Sequence, residues 1–486
     1  MPGIARLAVM LSISRIANYG LMIVSPVILV RFLKVDDFGR YREFLLYASI
    51  LQSVATFAIP DSQLYFIPAH PGSIWRIVRE TNLLTAVVSS LVIGGFLLLD
   101  AVMGGGLVGP YLLPVVLYVV LSVNIDFWEP FWLAIHRPLP VFVYSAGRLT
   151  ARMLVVVCAA VLTTDVMTII WSLIGLESLR VTVSALMWRK LDKSAQEPPL
   201  ARIRRDQLRF CIPMGLATLL FLASRNLGNV AVAKSLGAVA LAQLTIGTYG
   251  EPILIALRNS ISTALLPELV RRITGSREES LLLWKRTTVL NCVLMFPAAV
   301  ILAWYAEPLI VNVFGVSYRP AIPILQIYGF VMVRACFDFS LLLRAINRTR
   351  PVVTGNLAAV IAAGLSLVFL LPVAGVVGAI IAVVISNFVE AAYLGWSVCR
   401  VYNVSAAKIV QWGAVAKVAL CALAAAAVVF GASRGLRVGL FGVMIGSVVY
   451  LVTFVALLLA TGVQEAAAVL RRVFSSISIT LPSGRS

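Results

Sequence analysis

VVTGNLAAVIAAGLSLVFLLPVAGVVGAIIAVVISNFVEAAYLGWSV, residues 352–398, contains one charged side chain, Glu390, and one short turn, PVAG at 372–375. On each side of that turn lies an apolar run of roughly 20 residues, the length that crosses about 30 Å of hydrocarbon as a helix. Membrane-spanning strands are about half as long and alternate in polarity, which neither run does. Both runs therefore predict helices, joined by a tight turn.

The same pattern recurs along almost the whole chain. Of 486 residues, 60% are hydrophobic and 13% charged, and no stretch remains for a soluble domain. Fourteen apolar runs predict spans at 8–32, 44–66, 81–99, 112–135, 139–162, 166–188, 208–233, 240–266, 287–306, 320–343, 352–371, 375–398, 409–431 and 438–461. The fold class is an all-α polytopic membrane protein. The first run carries Arg15 and has no small-residue cleavage site, so it reads as a retained helix rather than a signal peptide.

Short cytoplasmic loops retain positive charge, and this fixes the expected orientation. With an inside N-terminus, the inside segments hold twenty-four Lys and Arg and the outside loops seven. Both termini are then cytoplasmic. Topology and anionic lipid headgroups absorb most of the +19 net charge, which leaves nucleic-acid binding without support.

Several chemistries lack material. Cys158, Cys211, Cys292, Cys336, Cys399 and Cys421 stand singly in or beside spans and read as small packing residues. The two histidines, His70 and His136, lie in loops 66 residues apart, too sparse for a His-based metal or acid–base site. No GxxxxGK[ST], GxSxG or HExxH occurs. The chain therefore reads as a non-enzyme without metal or cofactor. NRT (347–349) and NVS (403–405) fit the glycosylation pattern but fall on the inside face.

Internal similarity organises the spans. LKVDDFGRYREFLLY (33–47) links spans one and two, and LGAVALAQLTIGTY (236–249) links spans seven and eight at an offset of 203. IDFWEPFWLAIHRPLP (125–140) leads out of span four, and CFDFSLLLRAINRTRP (336–351) out of span ten. Both of the latter have Asp-Phe, then Ala-Ile-His/Asn-Arg, then proline. The expected organisation is a first six-helix lobe (1–190), a basic cytoplasmic linker (191–207), a second six-helix lobe (208–400), and spans 13 and 14 with a tail (401–486). Repeats of this kind enclose substrate sites near the bilayer middle.

With SRIANYGLMIVSPVILVRFLKVDDFGRYREFLLYASI (14–50), the two six-helix halves, the extra helix pair and the basic central loop, the chain resembles the polysaccharide flippases of the Wzx type, in the superfamily that also holds MurJ and the MATE exporters. The most specific element is Leu33 to Tyr41, similar to the family's Leu-Gly-x-x-x-Phe/Tyr-Gly-x-Tyr, with Lys34 in place of the usual glycine. The resemblance implies movement of a polyprenyl-diphosphate-linked oligosaccharide from the inner to the outer leaflet of a bacterial inner membrane, by alternating access of two lobes. It also implies a polysaccharide polymerase and co-polymerase as partners. The alternatives are a MATE-like ion-coupled multidrug antiporter and a membrane glycosyltransferase or polymerase; fourteen spans and many arginines count against the first, and outer loops of about a dozen residues against the second.

Charges inside spans cost at least about 2.5–3.5 kcal/mol each, so they persist where they meet partners or a wet cavity. Arg15, Arg148, Arg152, Arg225, Arg258 and Arg334 are the candidate diphosphate-binding residues, because a guanidinium binds phosphate oxygens through paired donors. Arg148 and Arg152 share a helix face with no acid within a turn, and read as an unpaired cationic stripe. Arg334 with Asp338, and Glu177 with Arg180, are spaced to neutralise each other instead. Candidate ion-coupling acids are Glu251, beside Pro252; Asp61, beside Pro60; and Glu177. The aromatic run WEPFW (128–132) fits an interfacial belt better than a sugar platform.

Overall fold

In lipid the backbone must satisfy its own hydrogen bonds, and a helix does so within one segment. In the computed structural model every regular element among the described residues is helical, as the composition requires. The structure describes residues 24–461 except 107, 136, 191–202, 252–253, 255–264, 266–267, 273–275, 347, 349 and 433–438. His136, Arg15 and Arg258 lie outside the described residues.

The chain forms two units, Met1–Thr245 and Ile246–Ser486. In the first, α1 (24–32) is followed by α2 (Val35–Thr56), α3 (Gln63–Ala69), α4 (Ile74–Val102), α5 (Leu112–Val123), α6 (Trp128–Ala134), α7 (Pro138–Thr163) and α8 (Val166–Lys190). Helix α9 (Ile203–Gly247) ends just beyond its boundary. The second unit contains α10 (Arg277–Trp304), α11 (Ala306–Phe314), α12 (Ile322–Ala335), α13 (Phe339–Ala345), α14 (Arg350–Tyr402), α15 (Trp412–Ala432) and α16 (Leu440–Ala460).

Among the described residues ten helices are long and apolar enough to cross a membrane, or eleven if the bent pair α2 and α3 is one span. That is fewer than the fourteen expected runs, and the difference has visible causes. Most of the first run and part of the eighth lie outside the described residues. Helix α14 covers two expected runs at once. As one straight helix its 53 residues would extend roughly 80 Å, far more than a bilayer. Its backbone leaves helical geometry at Gly375 (φ 54°, ψ −132°), and a Cβ on Gly378 would lie 2.1 Å from the Leu370 carbonyl oxygen. Farther out, the Thr354 hydroxyl donates to the Tyr393 hydroxyl at 2.8 Å. These contacts make α14 a hairpin of two antiparallel arms that turn at PVAG.

A shared interruption occurs in the two Asp-Phe motifs. Helices α5 and α6 are separated at 124–127 around Asp126, and α12 and α13 at 336–338 around Asp338. Each break is followed by a seven-residue helix and then a long helix with proline in its first turn, at Pro138 or Pro351. Proline there loses no helical hydrogen bond, since the first N–H groups have no acceptor.

WEPFW does not lie outward as a belt. Trp128, Phe131 and Trp132 are buried with Phe66, Phe127 and Ile203, and Trp75, Trp188 and Phe210 pack against that cluster. Trp128 Nε1 donates to Ser184 Oγ at 2.5 Å, which satisfies the one polar atom the ring takes into the core. Between α2 and α3 the chain bends by 49°. Phe57 (φ 46°) and Ala58 (φ 56°) are both left-handed, a conformation costing a non-glycine residue roughly 1–2 kcal/mol.

Candidate functional site

The break at Asp126 is the centre of a cluster of charged residues in the first unit. Gln52 Nε2, from α2, donates to Asp126 Oδ2 at 2.7 Å. Arg148 Nη1, from α7, donates to Asp126 Oδ1 at 3.3 Å, and its Nη2 lies 3.9 Å from Glu129 Oε2 on α6. Arg180 Nη2, from α8, donates to the Tyr144 hydroxyl at 2.8 Å and lies 3.6 Å from Asp126 Oδ1. Arg180 Nη1 donates to Glu177 Oε2 one turn earlier. The Tyr144 hydroxyl in turn donates to the Ile125 carbonyl at 3.3 Å, inside the break.

The stripe of Arg148 and Arg152 is therefore not unpaired as expected. No acid lies within a turn of Arg148 on α7, but the break brings Asp126 and Glu129 to it from a neighbouring element. Sequence spacing reports partners along one helix and is silent about those across helices. Arg152 differs. Half-buried, it faces Tyr118, with its guanidinium carbon 6.0 Å from the ring centroid, and Tyr41. Among the described residues no carboxylate comes within salt-bridge distance of it.

The three arginines are held unequally. The Arg180 side chain is 14% exposed and its partner Glu177 4%, whereas the Arg148 side chain is 38% exposed with longer contacts. Removing one member of a buried pair strands the other in a low dielectric at a cost of about 3–5 kcal/mol. Arg180 is thus a structural member of the cluster. Arg148 can change partners at much smaller cost, and Arg152 already offers its charge to tyrosine rings and hydroxyls. Such a cluster can hold an anion on Arg148 and Arg152 while Arg180, Glu177 and Asp126 keep the helices in register.

The other predicted site residues are not gathered here. Asp61 is exposed at the α2–α3 bend, with Glu129 the charge that acts on it. Arg225 is exposed on α9, over the Phe221 ring at 5.6 Å. Glu251 is half-buried just beyond α9. Arg334 belongs to the second unit, and its partner is not Asp338. Its Nη2 donates to Glu390 Oε2 at 2.6 Å and its Nε to the Asn387 carbonyl at 2.9 Å. Asp338 instead accepts from Ser340 Oγ at 2.5 Å and stands 3.7 Å from Arg344, because it sits at the break, beyond the helical register that would aim it at Arg334. A small cavity in the second unit is lined by Trp284, Thr287, Thr288, Asn291 and Asp338 among apolar neighbours, and none of its lining residues is a predicted site residue.

Asp126, Glu129, Gln52, Tyr144, Tyr118 and Tyr41 were absent from the expected site. Asp126 had a signal, its place in the repeated Asp-Phe motif. Gln52 and the tyrosines had none that separates them from ordinary polar residues of a span.

A family model described as polysaccharide biosynthesis protein matches residues 141–323, the stretch that contains Arg148, Arg152 and Arg180. Curated protein sequences give no significant match. Among solved structures, the chain is similar to the lipid II flippase MurJ in an inward closed conformation, with a TM-score of 0.64 and 13% identity over 93% of this chain and 98% of that one. It is also similar to an inward-facing multidrug resistance MATE family transporter of the MOP superfamily, with a TM-score of 0.56 and 13% identity over 81% and 98%. A third is a MOP superfamily transporter from Pyrococcus furiosus described with a binding pocket of reversed polarity, with a TM-score of 0.53 and 14% identity over 82% and 95%. The fold is that of the MurJ and MATE transporters.

Proposed function

We propose that the chain is a flippase for cell-surface polysaccharide synthesis. It moves a polyprenyl-diphosphate-linked oligosaccharide from the inner to the outer leaflet of a bacterial cytoplasmic membrane, with both termini in the cytoplasm. Two lobes alternate access, and no bond is made or broken. Transfer of the headgroup through hydrocarbon alone carries a Born cost of tens of kcal/mol, and a wet cavity with guanidinium groups removes most of it.

The match to the polysaccharide biosynthesis model supports the biological setting, and one geometric observation carries the substrate class. Arg152 is held in a membrane span with no carboxylate among the described residues at salt-bridge distance, one turn from the loosely paired Arg148. Arg15, Arg225, Arg258 and Arg334 have weaker support as phosphate ligands; for Arg334 the tight pair with Glu390 favours a structural role. Glu251, Asp61 and Glu177 remain the proposed coupling acids; of these, Glu177 is already paired with Arg180.

The test is export by the Arg148→Gln/Arg152→Gln double variant. It should fold, insert and fail to export glycan, while a cationic dye should be retained equally by cells with either form. Normal export would remove these residues from the mechanism. Dye efflux that depends on the wild-type protein would favour the MATE-like antiporter.

A further inference from the structure

The bend between α2 and α3 combines two unfavourable features. Phe57 and Ala58 are left-handed without being glycine. Gln63 is completely buried, and neither its amide nitrogen nor its oxygen has a partner among the described residues. Pro60 opens the short turn Pro60–Ser62, where its missing N–H costs nothing. Strained backbone and orphaned polar groups persist only where the surroundings over-determine them.

One stripe of α9 supplies that determination. Arg204, Gln207, Cys211 and Gly215 recur at intervals of three, four and four, which places them on one helix face. Each touches the bend or the start of α4. Arg204 Nε donates to Glu80. Gln207 Nε2 donates to Thr81 Oγ1 at 2.8 Å and reaches Ser62 Oγ at 3.5 Å. The Cys211 thiol reaches the Ala58 carbonyl at 3.9 Å. At Gly215 the Phe57 ring lies so close that a Cβ would stand 2.6 Å from it. The two left-handed residues are thus each held by a separate α9 position.

We propose that this stripe is a clamp. While α9 is docked, the α2–α3 bend is kept in its strained form. When the stripe lifts, residues 57–63 join α2 and α3 into one proline-kinked helix, and the strain at Phe57 and Ala58 is released. The bend is a two-state hinge set by α9, whichever substrate the protein moves.

The native Cys211 thiol, buried under the clamp, reports the state directly. The full-length protein in lipid nanodiscs is treated with N-ethylmaleimide, and modification of Cys211 is followed by peptide-resolved mass spectrometry. Gly215→Ala, which wedges a methyl group against Phe57, should raise the rate about tenfold. Adding Ala58→Gly to the same chain should bring it back by about tenfold, because glycine is unstrained in the left-handed region and unfavourable in a continuous helix. Gln207→Leu provides a second way to loosen the stripe if Gly215→Ala does not accumulate, with the same response to Ala58→Gly. A clamp variant with an unchanged Cys211 rate overturns the proposal. So does an increased rate that Ala58→Gly leaves untouched, since simple loss of packing around Cys211 would not respond to relief of strain at the bend.

Discussion

Gly39, at the start of α2, lies against the carbonyl of Ala238 on α9 so closely that a Cβ at position 39 would come within 2.0 Å of the oxygen. These residues belong to the two sequence elements that echo each other at an offset of 203, FGRY in the first and LAQL in the second, and the elements touch at this point. Lys234, just before the second element, adds to the contact. Its Nζ donates to the Gly106 carbonyl at 2.7 Å and lies 5.4 Å from the Tyr47 ring centroid. The glycine of the motif is thus set by its close approach to the α9 backbone just after the break at Gly237 (φ 83°).

Gly39→Ala should therefore lower stability by about 1–3 kcal/mol, the usual cost of forcing an extra group into a packed contact. Gly94→Ala, at a helix position with nothing within 4 Å of the new methyl group, should be neutral or slightly stabilising. Thermal melts of the two purified variants, followed by exposure of buried thiols, separate the cases.

Arg180→Gln and Arg148→Gln should fail in different ways. The first leaves the buried Glu177 without its cation and should cost about 3–5 kcal/mol, seen as poor accumulation and a low melting temperature. The second leaves Asp126 with Gln52 and Arg180 and should cost under about 1 kcal/mol. Export normalised to folded protein should fall with Arg148→Gln, and equal melting temperatures for the two variants would contradict the ranking.

Between α7 and α8, outside the spans, Asp165 Oδ2 accepts from the Thr168 backbone N–H at 2.9 Å and from its hydroxyl at 2.8 Å. The backbone hydrogen bond, followed by that from the side chain, holds the Asp165 carboxyl below its ordinary value. A lowered folded-state pKa stabilises above the unfolded value and is lost as pH falls through the folded one. The melting-temperature gap between wild type and Asp165→Ala should be constant above about pH 5 and close below about pH 4, near the ordinary carboxylate value. A gap that stays unchanged on acidification would show that the cap does not depend on charge.

Much of the fold was legible in the sequence because membrane spans are long, apolar and locally determined. The turn at PVAG and the pair Glu177–Arg180 depend on residues near one another in the chain, whereas the breaks at the two Asp-Phe motifs fall inside the runs 112–135 and 320–343 that were expected to be continuous spans. The site was less legible for the opposite reason. Asp126 meets Gln52 and Arg148 only because a broken helix brings separate elements together, so an arginine with no acid along its own helix looked unpaired. Arg334 misled in the other direction: an acid sat four residues away at Asp338, yet the helix ends before it and the true partner is fifty-six residues farther on, at Glu390.

That pair allows a test of whether a membrane arginine serves structure or substrate. Arg334 is buried, with its side chain 5% exposed and Glu390 at 19%. Arg334→Met alone leaves Glu390 without its cation and should cost about 3–5 kcal/mol, whereas replacing both members of a buried pair by apolar residues of similar volume is often neutral. Arg334→Met/Glu390→Met should thus regain most of the lost melting temperature, because neither charge is then stranded. If Arg334 only holds α12 to α14, the double variant should also export glycan at a near-normal rate. A double variant that melts like wild type and does not export would instead assign Arg334 to the diphosphate, and would restore to the mechanism a residue that its geometry places in the framework.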